Sequence, residues 1–531
     1  MFPWTIGASP SFVRARACVS DALQEVEGAG VQRYGTMDET VENGVTSGSI
    51  ALDAILKGGY AQSFMHLIEG RPGSGKTTLA LQFLVAGRDA GERGLYISLS
   101  ESVAELAHTA QVHGFSLEDI DFCELVPPEM TLNPELEQSV VYASDLELGE
   151  TVTLVMNAVR EFAPQRIVFD SASEIRLMAQ NSLRFRRQIL ALKHFFAQTG
   201  CTVLLLDDLT SQDEDGNLHS LAHGVLRLEQ ISVGYGADRR RLRVLKMRGR
   251  GFVGGFHDYV ISRGGLEIFP RLVATTHMAA DPGGDGAETV TSGISLFDEM
   301  TGGGLVRGTS TLVMGPSGVG KSTLTMQIAI AALQRGERVL VVTFDETLRN
   351  VKRRMAGLGF DLGEYQAAGL LELRALDPAE LTPGELTDYI REQVAGDCRM
   401  VILDSLSGYH HAMPDERYLL LQIHELLSYL NAQNVITFIT LAQSGMVGSL
   451  ETPFGLTYIA DATVLLRFFE ADGALGRAIS MQKQRTGAHE MTLREMRIGG
   501  DGVRIGPVLK GFQGILTGVP VVPERRAKQH R

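Results

Sequence analysis

Gly315-Pro-Ser-Gly318-Val319-Gly320-Lys321-Ser322 is the stretch from which the rest of the chain is read. Two glycines bracketing four residues, followed by Lys and then Ser or Thr, make the phosphate-binding loop pattern. The glycines let the backbone curl so that its N–H groups converge on phosphate oxygens. Lys321 is placed to reach β- and γ-phosphates, and the Ser322 hydroxyl to help hold Mg²⁺. The flanks agree, because 310–314 reads as a buried strand and 323–333 as a helix whose N-terminus faces the anion. Gly318, Val319, Gly320, Lys321, Ser322 and Thr323 are the expected nucleotide-binding residues.

A second such loop stands upstream. A strand at 64–68 leads into Gly70-Arg-Pro-Gly73-Ser74-Gly75-Lys76-Thr77, followed by Thr78. Val-Thr-Ser-Gly, then an apolar residue with Asp, then Gly-Gly precede each loop in the same order. Thr46 and Thr291, Asp53 and Asp298, and Lys76 and Lys321 are each 245 positions apart. Equal offsets over separate features mark a duplicated domain, not a repeated short motif.

Each copy goes on alike. After the helix comes a strand, 94–99 or 338–344, ending in Ser100-Glu101 or in Asp345-Glu346. Later apolar runs end in an acid, Arg166-Ile-Val-Phe-Asp170 and Met400-Val-Ile-Leu-Asp404. These are Walker B candidates, where a carboxylate at a strand's C-terminal edge holds the shell of Mg²⁺ together with Thr77 or Ser322. Strands alternating with helices predict an α/β fold: two tandem P-loop NTPase domains, each a mostly parallel sheet flanked by helices, with ligands at the strands' C-terminal edge.

The length of 531 residues suits two large domains. The expected organisation is an extension at 1–40, a first domain at 41–270 and a linker at 271–288 containing Asp281-Pro-Gly-Gly-Asp-Gly286. A second domain at 289–515 and a tail at 516–531 follow. A helix is expected near 17–26. The formal net charge of −14 tilts against broad nucleic-acid binding, which needs clustered Lys and Arg. The cysteines Cys18, Cys123, Cys201 and Cys398 form no metal-ligand spacing. With no apolar run long enough to span a membrane and no secretory leader, a cytoplasmic protein is expected.

Phosphoryl transfer needs a cradle, Mg²⁺, a carboxylate to orient the nucleophile, and positive charge near the γ-phosphate. Asp345-Glu346 offers a polarising pair; the first copy has only Glu101, after Ser100. The alternative reading is that these acids merely cap the next helix. Positive charge stands near each domain's end, in Lys246-Met247-Arg248 and Lys483-Gln484-Arg485. Spacing of two puts both cations on one face of a strand. An edge strand there would carry them across a subunit boundary; the plainer reading is a solvated basic strand.

Together these features resemble the KaiC family, tandem RecA-like ATPases that include the cyanobacterial circadian clock kinase, over about residues 40–520. Phe512-Gln-Gly-Ile-Leu-Thr-Gly518 is similar to that family's C-terminal segment. The resemblance implies a homohexamer of two stacked rings with ATP between subunits. The first ring hydrolyses ATP slowly, and the second transfers phosphate to side chains at the boundary and can return it. It implies that Lys246, Met247 and Arg248 touch the nucleotide of the next subunit's first domain. Arg477, Lys483, Gln484, Arg485, Gly487 and His489 would do so in the second. Lys76 and Lys321 are implied to serve catalysis, Asp345 to match the catalytic, metal-linked glutamate with Glu346 its neighbour, and Thr457-Tyr458 to match the phosphoacceptor pair.

Three departures stand out. Ser100 replaces the first domain's catalytic glutamate, which leaves Glu101 to substitute. Asp345 is one methylene shorter than glutamate. Tyr458 replaces Ser/Thr, which makes Thr457 the expected acceptor. The function expected is an Mg²⁺-dependent ATPase and serine/threonine autokinase in signalling. A DNA motor of RecA type, with Gln443 sensing the γ-phosphate, and a nucleotide-gated scaffold with little turnover are the alternatives.

Overall fold

The computed structural model describes residues 12–13, 44–125, 143–179, 181–209, 216–234, 236–273, 288–413, 418–443, 455–471, 473–510 and 515. The expected helix at 17–26, the Asp281–Gly286 stretch, and the closing 512–518 segment (apart from 515) lie outside the described residues. The main division between two compact units falls between Arg271 and Leu272.

The first unit is built on strands β1 (Met65–Gly70), β2 (Gly94–Ser98), β3 (Ile120–Glu124), β4 (Arg166–Asp170) and β5 (Thr202–Asp208). It continues with β6 (Gly224–Ile231), β7 (Arg239–Met247), β8 (His257–Ser262) and β9 (Gly265–Phe269). Their order is β3-β2-β4-β5-β1-β6-β7-β8-β9, with Phe12–Val13 added outside β3. Pairing is parallel from β3 to β6 and antiparallel from β6 to β9.

The second unit repeats the plan. Its strands are β10 (Ser310–Gly315), β11 (Arg338–Thr343), β12 (Leu371–Ala375), β13 (Cys398–Asp404) and β14 (Ile436–Ala442). The last four are β15 (Ala462–Ala471), β16 (Ala474–Gln484), β17 (Arg494–Gly499) and β18 (Gly502–Val508). Their order, β12-β11-β13-β14-β10-β15-β16-β17-β18, is the first unit's order strand for strand. Two tandem RecA-like P-loop domains result.

Unbroken apolar runs such as Val203–Leu206 make sense in strands covered on both faces. Alternate residues feed separate cores: Ile68, Tyr96, Val168, Leu204 and Leu206 pack on one face of the first sheet. Leu67, Ile97, Ile167, Phe169, Val203 and Leu205 pack on the other. The helix Lys76–Asp89 covers the first face, and Ser182–Thr199 the second. Lys321–Gln334 and Leu419–Ala432 divide the two faces of the second sheet likewise. No helix among the described residues is long and apolar enough to cross a membrane.

The 245-residue offset has a physical counterpart. Asp53 accepts from Thr46 Oγ1 at 2.6 Å and from the Ser47 N–H at 2.8 Å. Asp298 accepts from Thr291 Oγ1 and, at 2.8 Å, from the Ser292 N–H. Each carboxylate thus clasps the turn that precedes its own short helix. Removing one leaves a hydroxyl and an N–H without their acceptor. Asp298→Ala should therefore destabilise the second unit by about 1–2 kcal/mol, read as an earlier urea transition. An unchanged midpoint would show the clasp to be incidental.

Candidate functional site

Parallel register assembles each site at one edge of its sheet. Gly70 lies between Asp208 of β5 and Leu228 of β6, and Ser98 lies opposite Asp170. In the second unit Gly315 lies opposite Ala442, and Thr343 opposite Asp404. The phosphate loop thus starts at the middle of the sheet, with Asp170 or Asp404, the acid that closes an apolar run, two strands away.

The loops are wound as the glycines require. Gly73 and Gly75 have φ of 82° and 91°, Gly318 and Gly320 have 77° and 111°. Gly75 and Gly320 are left-handed caps of the helices that begin at Lys76 and Lys321. A Cβ on Gly75 would stand 2.7 Å from Ile261 Cδ1, and one on Gly320 2.6 Å from Ile498 Cδ1. Ser74, Val319, Thr78 and Thr323 are buried beneath the loops, while Thr77 and Ser322 remain half-buried. Lys321 Nζ donates to the carbonyls of Gly315 and Pro316 at 3.0 and 2.9 Å. Lys76 Nζ donates in the same way to Gly70 and Arg71 at 2.9 and 3.2 Å. Burial pulls the Lys321 ammonium below its usual range, against the opposing fields of Asp404 and Asp345.

The Walker B acids are held differently. Tyr96 Oη donates to Asp170 Oδ2 at 2.6 Å, whereas Thr440 Oγ1 donates to Asp404 Oδ1. Burial pushes the Asp170 carboxyl up, with the Tyr96 hydrogen bond opposing and Asp208 adding to the rise. The residues after β2 and β11 also part company. Ser100 is exposed, and Glu101 is half-buried. Burial raises the Glu101 carboxyl, and Asp170, Glu105 and Asp208 raise it further against Lys76. Asp345 accepts from Ser405 Oγ, and a Cβ on Gly408 would collide with its carboxylate. Glu346 is engaged by Arg354. Neither Glu101 nor the Asp345-Glu346 pair supplies the N-cap of the following helix, since the N-caps are Ser102 and Thr347.

The Lys-x-Arg strands need one correction: β7 and β16 are not edge strands, because each pairs on both sides. Their outer pairing ends early, however, covering only Arg240–Leu242 in β7 and Arg477–Ile479 in β16. The cations follow after the outer partner has left. Lys246 Nζ donates to the carbonyls of His219 and Ala222, and Arg248 to that of Ser220 at 2.6 Å. Lys483 Nζ donates to the carbonyls of Thr457 and Ala460, each at 2.6 Å, and Arg485 to that of Tyr458. Lys246 and Lys483 are both lowered by burial and then by the neighbouring Arg248 or Arg485. Met247 is buried against Gly224. Gln484 donates to Thr301 O at 2.8 Å, Arg477 lies 5.8 Å from the Phe468 ring, Gly487 is exposed and His489 half-buried.

This shared anchoring sets His219-Ser220 of the first unit in the place of Thr457-Tyr458 in the second. Thr457 is half-buried and Tyr458 exposed. In the first unit His219 Nε2 is instead within 2.7 Å of Glu69, which also accepts from Arg227. Sequence reasoning overlooked Tyr96, Thr440, Ser405 and Asp208. Only Asp208 had a signal, an acid closing an apolar run as at Asp170; the others are ordinary core or loop residues until the fold brings them to the acids.

A family profile described as "ATPase: KaiC" matches residues 45–273 and again 290–510. The chain is 26% identical over 477 residues to the circadian clock oscillator protein KaiC of Thermostichus vulcanus, covering 88% of this chain and 90% of that one. It is 27% identical over 496 residues to the circadian clock protein KaiC2 of Synechocystis sp., covering 89% and 83%. With the circadian clock protein KaiC3 of the same organism the identity is 26% over 494 residues, covering 91% and 95%. Two matched regions, each carrying a complete phosphate loop and a Walker B acid on the same nine-strand order, make this chain a member of the KaiC family of ATPases.

Proposed function

We propose that the chain is an ATP- and Mg²⁺-dependent autokinase as well as an ATPase. It works as a cytoplasmic signalling ring, a homohexamer, with each nucleotide between one protomer's phosphate loop and the next protomer's Lys-x-Arg strand. The observation that carries this reading is the ledge at 457–460. Lys483 and Arg485 grip its carbonyls, so the candidate acceptor Thr457 and two cations share one short stretch.

The loops at Gly73–Thr78 and Gly318–Thr323 supply N–H groups to phosphate, with Lys76 and Lys321 leaving their carbonyls for it. Thr77 with Asp170, and Ser322 with Asp404 and Asp345, are the residues that would hold Mg²⁺. A Mg²⁺ bound there would supply charge neutralisation to the phosphates. In the transfer step Thr457 Oγ attacks the γ-phosphorus and the bond to the ADP oxygen breaks. The hydroxyl proton passes to Asp345 of the adjoining protomer. Arg477, Lys483, Gln484, Arg485, Gly487 and His489, like Lys246, Met247 and Arg248 of the first unit, approach the neighbour's nucleotide. His219, held by Glu69 where the second unit has Thr457, favours hydrolysis alone in the first unit.

A DNA-driven motor is the second reading, because Gln443 is buried beside the second loop, its N–H donating to Gly315 O at 3.1 Å. Salt-sensitive DNA binding with DNA-stimulated turnover would favour that reading.

Incubation with ATP and Mg²⁺ should place phosphate on Thr457, mapped by mass spectrometry, and Lys321→Ala should remove it. Phosphate-free 457–458 peptides after such incubation would refute the kinase reading. Asp345→Asn should slow the transfer roughly 100-fold while nucleotide binding persists. Native mass spectrometry should show an ATP-dependent ring, and a chain that stays monomeric with ATP would rule out shared sites.

A further inference from the structure

The two loop lysines are not in equal positions. Lys76 Nζ lies 2.7 Å from Oδ1 of Asp208, in addition to the two loop carbonyls that both lysines share. The register makes the comparison direct, since Gly70 stands opposite Asp208 where Gly315 stands opposite Ala442. At this register position the second unit has Ala442, whose side chain carries no carboxylate. The strand end carrying Asp208 is fixed as well. Its N–H donates to Ser173 Oγ at 3.0 Å, and Ser173 and Arg176 both donate to Asp207. Successive side chains of a strand point to opposite faces, so tethering Asp207 turns Asp208 toward the loop.

The geometry points to Asp208 as a built-in competitor for nucleotide at the first loop: its carboxylate holds the ammonium that a β- or γ-phosphate must take over. This rests on the reading of Gly70–Thr77 as a nucleotide site and concerns how tightly that site holds its ligand. Binding exchanges one charge-assisted contact of Lys76 for another. It also leaves Asp208 without its cation, beside phosphate oxygens and near the carboxylates of Asp170 and Glu101. Both effects weaken retention at the first site; at the second, Asp404 and Asp345 act on Lys321 from nearby, but among the described residues no carboxylate forms an ion pair with it. Asp208 is 31% exposed in its side chain, so solvent screening limits the effect. The tandem sites thereby have the same cradle and an unequal grip, with the first exchanging nucleotide more readily.

The test uses the full chain with Lys321→Ala, so that only the first loop binds a fluorescent ATP analogue. Asp208→Asn keeps the shape and removes the charge, and should tighten binding about fivefold. Asp208→Ala, which copies the second site, should tighten it similarly, and Asp208→Glu should stay within about twofold of the parent. The nucleotide-induced rise in melting temperature should grow in Asp208→Asn, while the nucleotide-free protein gains no stability. The reciprocal change, Ala442→Asp with Lys76→Ala, should loosen the second site. Unchanged or weaker binding by Asp208→Asn overturns the inference and leaves the first loop a nucleotide site. Failure of both the parent and Asp208→Asn to take up nucleotide overturns the site assignment itself.

Discussion

Parallel pairing of strands buried on both faces is the constraint on which the two sites depend. A slip of one residue would carry every core side chain to the wrong face, so register is held by the whole apolar interior. Register in turn aligns the ends of β1, β2, β4 and β5, and of their counterparts β10, β11, β13 and β14. The lysine of a phosphate loop, a Walker B acid and the residues after the neighbouring strand then meet without any one of them specifying the others. The glycines of the loop are the only local requirement, and they are met by positive φ at Gly73, Gly75, Gly318 and Gly320.

On this common frame the acids have been redistributed. The second unit keeps Asp345 after β11, steadied by Ser405, and has Ala442 at the end of β14. The first unit has Ser100 after β2 and an acid, Asp208, at the end of β5, paired with Lys76. Each site thus retains negative charge near its lysine, placed on different strands. The surroundings differ accordingly: Glu101 is raised by burial and by surrounding carboxylates, whereas Glu346 is paired with Arg354. The difference is one of placement, since one carboxylate is paired with its lysine and the other with a serine hydroxyl.

The opposite side of each unit shows divergence of the same kind. Lys246 with Arg248, and Lys483 with Arg485, tie down equivalent carbonyls, so the main chain is alike. The side chains on those ledges are not. Glu69 of β1 lies opposite Arg227, forms an ion pair with it and is hydrogen-bonded to His219; Met314 of β10 lies opposite Leu465. A buried charged cluster costs desolvation and tolerates little movement. Met314 and Leu465 at the equivalent register carry no charge and impose no such cost.

Duplication, the α/β class and the identity of the loop residues were legible in the sequence, because they rest on short-range signals. These are glycine spacing that only a phosphate loop satisfies, apolar runs that only doubly covered strands need, and offsets that only a copied domain keeps. That Asp170 and Asp404 end strands was legible for the same reason. What the tertiary structure alone decided was which groups meet. That Asp208 finds Lys76 across 132 positions, or that Ser405 reaches Asp345 across 60, follows from strand register and not from any neighbour in the chain. The edge-strand expectation for the Lys-x-Arg segments failed on the same ground. Spacing of two fixes which face the cations share, but whether a strand has a partner on its far side is set by how many residues the next hairpin pairs.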